Sequence, residues 1–195
     1  MHKVIFYSEG KKAAAYLCCM LKKSMDELQR LNREEFREAV KFPITVVLDN
    51  VRSMHNVGSV FRTADAFRVE KICLCGYTPK PPHRDIQKTA LGATETVSWE
   101  ACENAAKKIQ SLQKEGYLTF AVEQTKNSVS LEDLPLTGIQ KIALVFGNEA
   151  EGVSEDCIQA CGAAIEIPQF GSKHSFNISV SAGIVLWEVY KKKQA

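Results

Sequence analysis

The sequence has almost no net charge: 25 Lys and Arg stand against 23 Asp and Glu among 195 residues, a formal balance of +2. No global field therefore announces nucleic acid or a membrane surface as partner, and any basic face has to come from local clustering. Long apolar runs are missing too, since none approaches the ~20 residues that a membrane span requires. The stretch from Met1 to Tyr7 lacks the apolar core and small-residue cleavage site of a secretory signal. These absences lead to the expectation of a cytoplasmic protein without a membrane partner. Cysteine occurs at 18, 19, 73, 75, 102, 157 and 161, but never as C-x-x-C and mostly inside apolar runs. That odd count and placement read as reduced, buried packing residues. Cys157 and Cys161 have no second ligand pair at zinc spacing, so no metal is expected.

Three signatures are also absent. Without G-x-G-x-x-G the chain has no dinucleotide fingerprint, which argues against a nicotinamide-dependent oxidoreductase on a Rossmann sheet. Without a G-K-[ST] ending no glycine turn reads as a P-loop, and without G-x-S-x-G a serine hydrolase loses its nucleophile elbow.

What is present is an alternation of short β-rich apolar runs with amphipathic stretches. Ile44 to Leu48, Lys71 to Cys75, Tyr117 to Val122, Lys141 to Phe146 and Ala163 to Ile167 read as buried strands. Stretches at about 56 to 67, 100 to 115, 154 to 161 and 177 to 193 have helical periodicity. Continuous apolar strands between helices are the pattern of an α/β fold with a mostly parallel sheet covered on both faces. A hydrophobic content of 45% over this length suits one sizeable core. Residues 8 to 41 read as two helices, the first capped by Ser8 and the second opened by a Ser24/Glu27 capping box, with Pro43 closing the section. The second would place Leu28, Leu31, Phe36 and Val40 on one face. Residues 1 to 41 carry nine Lys and Arg against six acids, which suits either a solvated helix face or contact with a phosphate backbone. Segment 76 to 92, with Gly76, Pro79, Pro81 and Pro82 followed by His83, Arg84 and Lys88, reads as a loop with a basic rim. Placed after a parallel strand, it is a candidate substrate contact.

Three strand-to-helix junctions are rich in polar residues and glycine. Leu48 to Thr63 puts Asn56 at a helix start and Arg62 nearly two turns in, on a different face because six residues turn a helix by roughly 600°. Val145 to Val153 runs a strand into Gly147, Asn148, Glu149, Glu151 and Gly152, and acids there suit a cationic ligand or ribose hydroxyls. Ile165 to Val180 is a strand, an irregular loop and a helix of small residues, with Ser175 and Asn177 near the helix start. Read singly, Asn56, Ser175 and Asn177 can be helix caps and Arg62 a surface ion-pair partner.

Together the junctions carry N-x-G-x-x-x-R-T-A from Asn56 to Ala64, F-G-N-E-x-x-G-V from Phe146 to Val153 and I-P-x-x-G-x-x-x-S-x-N-x-S-V from Ile167 to Val180. In that order the three resemble the SpoU-type, TrmH-like branch of the SPOUT superfamily of RNA ribose methyltransferases, over about residues 44 to 190. The resemblance implies a methyltransferase domain at 43 to 195 behind a helical extension at 1 to 42, with a C-terminal trefoil knot that periodicity does not show. It implies S-adenosyl-L-methionine as cofactor, a homodimer whose active sites draw on both chains, and RNA as substrate. By motif, Arg62, Asn56, Glu149, Ser175 and Asn177 form the catalytic set, while Val122, Gly147, Ile167, Ser175 and Phe176 line the cofactor pocket. Phe176 stands where similar proteins usually have leucine, which keeps a hydrophobic wall but alters its shape.

The implied chemistry is methylation of a ribose 2′-hydroxyl. A guanidinium with a pKa above ~12 is a poor base, so Arg62 is expected to clamp phosphate and stabilise developing alkoxide charge. Asn56, Ser175 and Asn177 would orient loop and ribose, and Glu149 would hold the loops in register. A tRNA, at a D-loop guanosine, is favoured over ribosomal RNA because no separate RNA-binding domain accompanies the extension. The remaining alternative is an RNA-binding module without catalysis. The last helix, with Ile178, Val180, Ile184, Val185 and Trp187, suits either the dimer surface or the core.

Overall fold

The computed structural model describes residues 22–24 and 26–194. The predicted first helix and its Ser8 cap lie outside these residues. The chain forms two compact units, Met1–Leu31 and Asn32–Ala195, the second starting ahead of the boundary expected at 43. Within the first, Ser24 and Glu27 do make the expected reciprocal bonds, with the Ser24 N–H donating to Glu27 Oε2 at 2.7 Å and the Glu27 N–H to Ser24 Oγ at 3.3 Å. They open only a single 3-10 turn, Asp26–Leu28, and Gln29 at φ +47° ends it.

The long second helix is therefore corrected to a turn followed by a new start. Asn32 and Glu35 form their own capping box and launch α1, Arg33–Glu38. Because α1 stops there, Phe36 is buried while Val40 is 84% exposed. Pro43 does not close a section but sits inside the first strand, at a position where the β1–β2 register shifts and no ladder N–H is required of it.

Seven strands form one sheet in which every pairing is parallel: β1 (Phe42–Asp49), β2 (Val69–Cys75), β3 (Ser98–Cys102), β4 (Tyr117–Val122), β5 (Val129–Ser130), β6 (Lys141–Phe146) and β7 (Ala163–Glu166), in the order β3-β2-β1-β6-β4-β7-β5. The helices between them are α2 (Met54–Ala66), α3 (Arg84–Ala90), α4 (Ala105–Lys114), α5 (Glu155–Ala160) and α6 (Ile178–Gln194). The five predicted strands are β1, β2, β4, β6 and β7. All are apolar on both faces because both faces are covered: Ile44, Val46 and Leu48 of β1 pack with Phe61 and Leu186, while Val47 packs with Ile109, Val145 and Cys157 on the other side. The chain steps outward from β1 to β2 and β3, crosses to β4, and only later inserts β6 between β1 and β4. The carboxyl ends of β1, β4, β6 and β7 thus come together at the point where strand order reverses, the place where open α/β sheets bind ligands.

Two expectations need correction. The helix predicted over 100 to 115 begins at Ala105, and the residues before it form edge strand β3, whose half-exposed side chains hide the apolar run of a central strand. Segment 76 to 92 is not loop throughout. Its prolines end at Pro82, and α3 follows, with its first turn bound by the His83 side chain, which accepts the Asp85 N–H at 3.2 Å. Thr89 then donates to the His55 carbonyl at 2.9 Å, fixing α3 to α2.

Gly58 is what lets those two helices meet. A Cβ there would lie 2.1 Å from Thr89 Oγ1 and 2.3 Å from the Ile86 carbonyl oxygen. Gly58→Ala is expected to cost about 1–3 kcal/mol by overpacking, a fall of roughly 2–12 °C in melting temperature for a chain of this size, measurable by circular dichroism.

The buried cysteines among the described residues behave as packing residues. Cys73, Cys75 and Cys157 are buried, and no described cysteine is in a disulfide. Burial raises the thiol pKa of Cys73 and Cys75 and pushes those of Cys157 and Cys161 up to about 12. Among the described residues no group of three or more His, Cys, Asp or Glu is placed to hold a metal ion, and no helix is long and apolar enough to cross a membrane.

Candidate active site

The β1–α2 junction is held from several directions. Asp49, 2% exposed at the end of β1, accepts the Ser154 N–H at 3.0 Å and the Asn50 side-chain amide at 2.8 Å. The cap of α2 is Ser53, whose hydroxyl accepts the Asn56 N–H at 3.3 Å. Asn56 is therefore not the cap but lies inside the first turn, and its buried side chain is free for longer-range bonds.

Its amide donates to Glu149 Oε1 at 2.7 Å. Glu149 also accepts the backbone N–H groups of Arg52 at 3.0 Å and Ser53 at 3.1 Å. A carboxylate is thus placed against the start of α2, where orphan N–H groups and the helix dipole favour negative charge. On its other side, Asn56 Oδ1 accepts from Asn177 Nδ2 at 3.1 Å. Asn177 Oδ1 in turn accepts the Ser179 N–H at 2.9 Å and the Ser179 hydroxyl at 2.6 Å, capping α6. The chain Glu149–Asn56–Asn177 joins all three junctions that the sequence singled out.

Burial pushes the Glu149 carboxyl up, but the bonds from Arg52, Asn56 and Ser53 outweigh it and hold the group below the usual carboxylate range. The sign follows from linkage. A depressed folded pKa contributes stability that is complete above the unfolded value of about 4.3 and is lost as pH falls through the lower folded value. Glu149→Gln is accordingly expected to lower the melting temperature by a constant amount above about pH 5, and by progressively less below it. Melting curves of both proteins from pH 7 to 3 measure this.

The loop after β6 is closed on itself by paired backbone bonds between Asn148 and Gly152, both 3.0 Å, while Asn148 Oδ1 accepts the N–H groups of Ala150 and Glu151. Gly147 has no room for a side chain, because a Cβ would lie 1.9 Å from the Gly152 carbonyl carbon. Gly152 has φ +72°, which favours glycine.

Beside this loop, at the carboxyl ends of β4, β6 and β7, lies an open cavity of ≈ 320 Å³. It falls in the size range of small-molecule sites. Val122, Gly147, Ile167, Ser175 and Phe176, the expected cofactor-binding residues, all line it, as does Glu149. Asn56 and Asn177 do not line it but brace its loops. Arg62 is exposed on α2 and neither lines the cavity nor bonds to a described residue. Within one chain, then, four of the five expected catalytic residues gather at one place and Arg62 stands apart.

The apolar part of the wall comes from Val122, Phe146, Ile165, Ile167 and Phe176. The polar lining includes Glu123, Glu149, Glu151 and Glu166 but no lysine or arginine among the described residues. Such a pocket disfavours phosphate-bearing nucleotides and favours a nucleoside with net positive charge. A sulfonium nucleoside such as S-adenosyl-L-methionine fits that lining. The sequence reading missed Glu123 and Gln124, which also line the cavity. They lie outside the three motifs, and their only signal was two polar residues at the carboxyl end of a buried strand.

Comparison with known proteins agrees with this architecture. The profile of the SpoU rRNA Methylase family matches residues 43–187. The 23S rRNA (guanosine-2'-O-)-methyltransferase RlmB of Vibrio parahaemolyticus is 33% identical over 153 residues, which cover 78% of this chain and 61% of that one. The A. aeolicus TrmH/SpoU tRNA modifying enzyme superposes with a TM-score of 0.73 at 27% identity, over 83% of this chain and 82% of the other. An AdoMet-bound rRNA methyltransferase from Sinorhizobium meliloti superposes with a TM-score of 0.71 at 25% identity, over 80% and 59%. The chain spans about three-fifths of the length of several of the curated relatives it matches. With the family profile covering the whole sheet and all three junctions, the chain belongs to the SpoU methylase family of the SPOUT superfamily.

Proposed function

We propose that this protein is an S-adenosyl-L-methionine-dependent RNA methyltransferase acting on a ribose 2′-hydroxyl. The observation that carries the reading is the cavity lined by apolar side chains and glutamates, without lysine or arginine among the described residues, beside the place where the Glu149–Asn56–Asn177 chain joins the three family motifs. When bound, the cofactor supplies an electrophilic methyl group on a sulfonium. Val122, Ile167 and Phe176 would hold its apolar parts, with the backbone at Gly147 allowing close approach and Ser175 closing the cavity from the following loop. Asn56, Glu149 and Asn177 keep the pocket loops and α2 in one arrangement, so that reactants meet in line. Arg62 clamps a ribose phosphate and stabilises charge developing on the attacking oxygen, while the proton leaves through phosphate or water.

Two further features belong to this reading. The C-terminal part of the chain is threaded as a trefoil knot, and two copies pack through α6 as a homodimer. Support for the dimer comes from the helix's two faces: Ile178, Ala182, Val185 and Leu186 are core, whereas Val180 and Trp187 are left exposed, Trp187 at 54%. In the dimer, Arg62 of the partner subunit completes each pocket. The methyltransferase domain, expected at 43–195, takes in α1 and starts at Asn32, and the site of action is the cytoplasm.

The substrate is a tRNA, with a D-loop guanosine favoured. A second reading, ribosomal RNA, rests on the 23S rRNA substrate named for the RlmB relatives. Exposed Lys80, ahead of α3, and Arg84, its first residue, supply the RNA contact, by electrostatic attraction to phosphate. Transfer of tritiated methyl to purified tRNA and to ribosomal RNA, followed by nuclease mapping of 2′-O-methylated nucleotides, tests both readings. Label on neither RNA, with cofactor bound, would leave a binding module. Binding of NAD in preference to S-adenosyl-L-methionine would overturn the whole reading.

A further inference from the structure

Residues Glu123 and Gln124 follow β4 directly, line the cavity, and touch both of the loops that enclose it. Glu123 is locked at its own backbone, whose N–H donates to the Ile165 carbonyl at 3.0 Å. Both oxygens of its carboxylate are bound by main chain: Oε2 accepts the Val153 N–H at 3.0 Å and Oε1 the Gln124 N–H at 2.9 Å. Gly152 packs against the same carboxylate, since a Cβ there would lie 2.1 Å from Glu123 Oε2. Gln124 points the other way. Its amide Nε2 donates to the His174 carbonyl at 2.9 Å, in the loop between β7 and α6.

We infer that Glu123 and Gln124 are positioning residues that bracket the cavity, Glu123 closing the 147–153 loop and Gln124 the 168–177 loop, so that the cofactor meets a preformed pocket. The physical basis is preorganisation: a loop ordered before binding does not have to be ordered by the ligand. The bond to Glu123 is charge-assisted and stronger than an amide–amide bond, while the one to Gln124 is neutral. Beyond the bond between Glu123 and the Gln124 N–H, the bonds of both side chains go to the loops that enclose the cavity, so their loss acts on binding rather than on turnover.

The inference rests on the proposed cofactor, but one arm of its test does not. In the protein without cofactor, Glu123→Ala is expected to speed hydrogen exchange at the Asn148 to Val153 amides at least about tenfold, and to leave trypsin cleavage after Lys173 unchanged. Gln124→Glu, which keeps shape but removes the donor at an exposed position, is expected to do the reverse. General loosening of the fold would move both readouts in both variants and would overturn the assignment, as would wild-type behaviour in either. In the second arm, both variants raise the KM for S-adenosyl-L-methionine about tenfold with kcat at saturating cofactor within twofold of the parent. Glu123→Gln, which retains one acceptor, recovers most of the loss. A fall in kcat at unchanged KM would also overturn it. If the wild-type protein binds no S-adenosyl-L-methionine, the proposed function fails, and the exchange and proteolysis arm still decides the bracket.

Discussion

Replacement of Arg62 by alanine is expected to reduce methyl transfer by about 10³-fold or more while leaving S-adenosyl-L-methionine affinity within a few-fold of the parent, in keeping with loss of a charge-stabilising donor from a transition state. The separation follows from where the residue sits. Arg62 is exposed on α2 and contributes nothing to the cavity of its own chain. Asn56, on the same helix, is buried and tied to Glu149, and the two residues face different ways, as their spacing requires. A guanidinium that does not line its own pocket needs a substrate that reaches it from elsewhere, and the dimer proposed above supplies that substrate at the partner's pocket. Mixed dimers make the point measurable. When chains carrying Arg62→Ala are paired with chains carrying Asn177→Ala, one pocket keeps an intact Asn177 and receives an intact Arg62 from the other chain, so activity is expected to return to as much as about half of the parent level. If Arg62 served the pocket of its own chain, the mixed dimers would show no more than the residual activity of the Asn177→Ala chain. Turnover by the Arg62→Ala homodimer equal to the parent would remove the proposed role altogether.

The central strands were readable because parallel strands covered on both faces must be apolar at every position, which leaves a run such as Ile142 to Phe146 in the sequence. Edge strand β3 escaped because its side chains are half exposed, and β5 because two residues make no pattern. α3 was hidden by the prolines just ahead of it, which end the preceding turn without preventing a helix that starts at Arg84. The helix proposed from Ser24 onward failed for the opposite reason: its apolar spacing was continuous, but a second capping box at Asn32 and Glu35 restarted the chain. At the site, convergence of Asn56, Glu149 and Asn177 could be expected only from the order of the motifs, because hydrogen bonds across 93 and 121 residues have no local signature. Glu123 and Gln124 belong to none of those motifs. Their importance depends on what lies opposite them in space.

Asn177→Ala is expected to weaken S-adenosyl-L-methionine binding about tenfold and to lower the rate at saturating cofactor a further tenfold or more, and the geometry separates the two losses. Asn177 Oδ1 caps α6 through the Ser179 N–H, and removing such a cap costs about 0.5–2 kcal/mol, which falls on the loop carrying Ser175 and Phe176 into the cavity. Its Nδ2 meets Asn56 Oδ1, and Asn56 in turn meets Glu149, so the second half of the side chain acts on the orientation of α2 and the rate follows the arrangement of reactants. Asn177→Asp splits the two: it keeps an acceptor for the cap but replaces the donor facing Asn56 with a second oxygen. That variant is expected to bind cofactor within about twofold to threefold of the parent, as a retained cap predicts, yet to lose rate as alanine does. Cofactor titration by calorimetry and single-turnover methyl transfer measure the two quantities independently. Normal binding and turnover in Asn177→Ala would show that the Glu149–Asn56–Asn177 chain joins the junctions without governing the pocket.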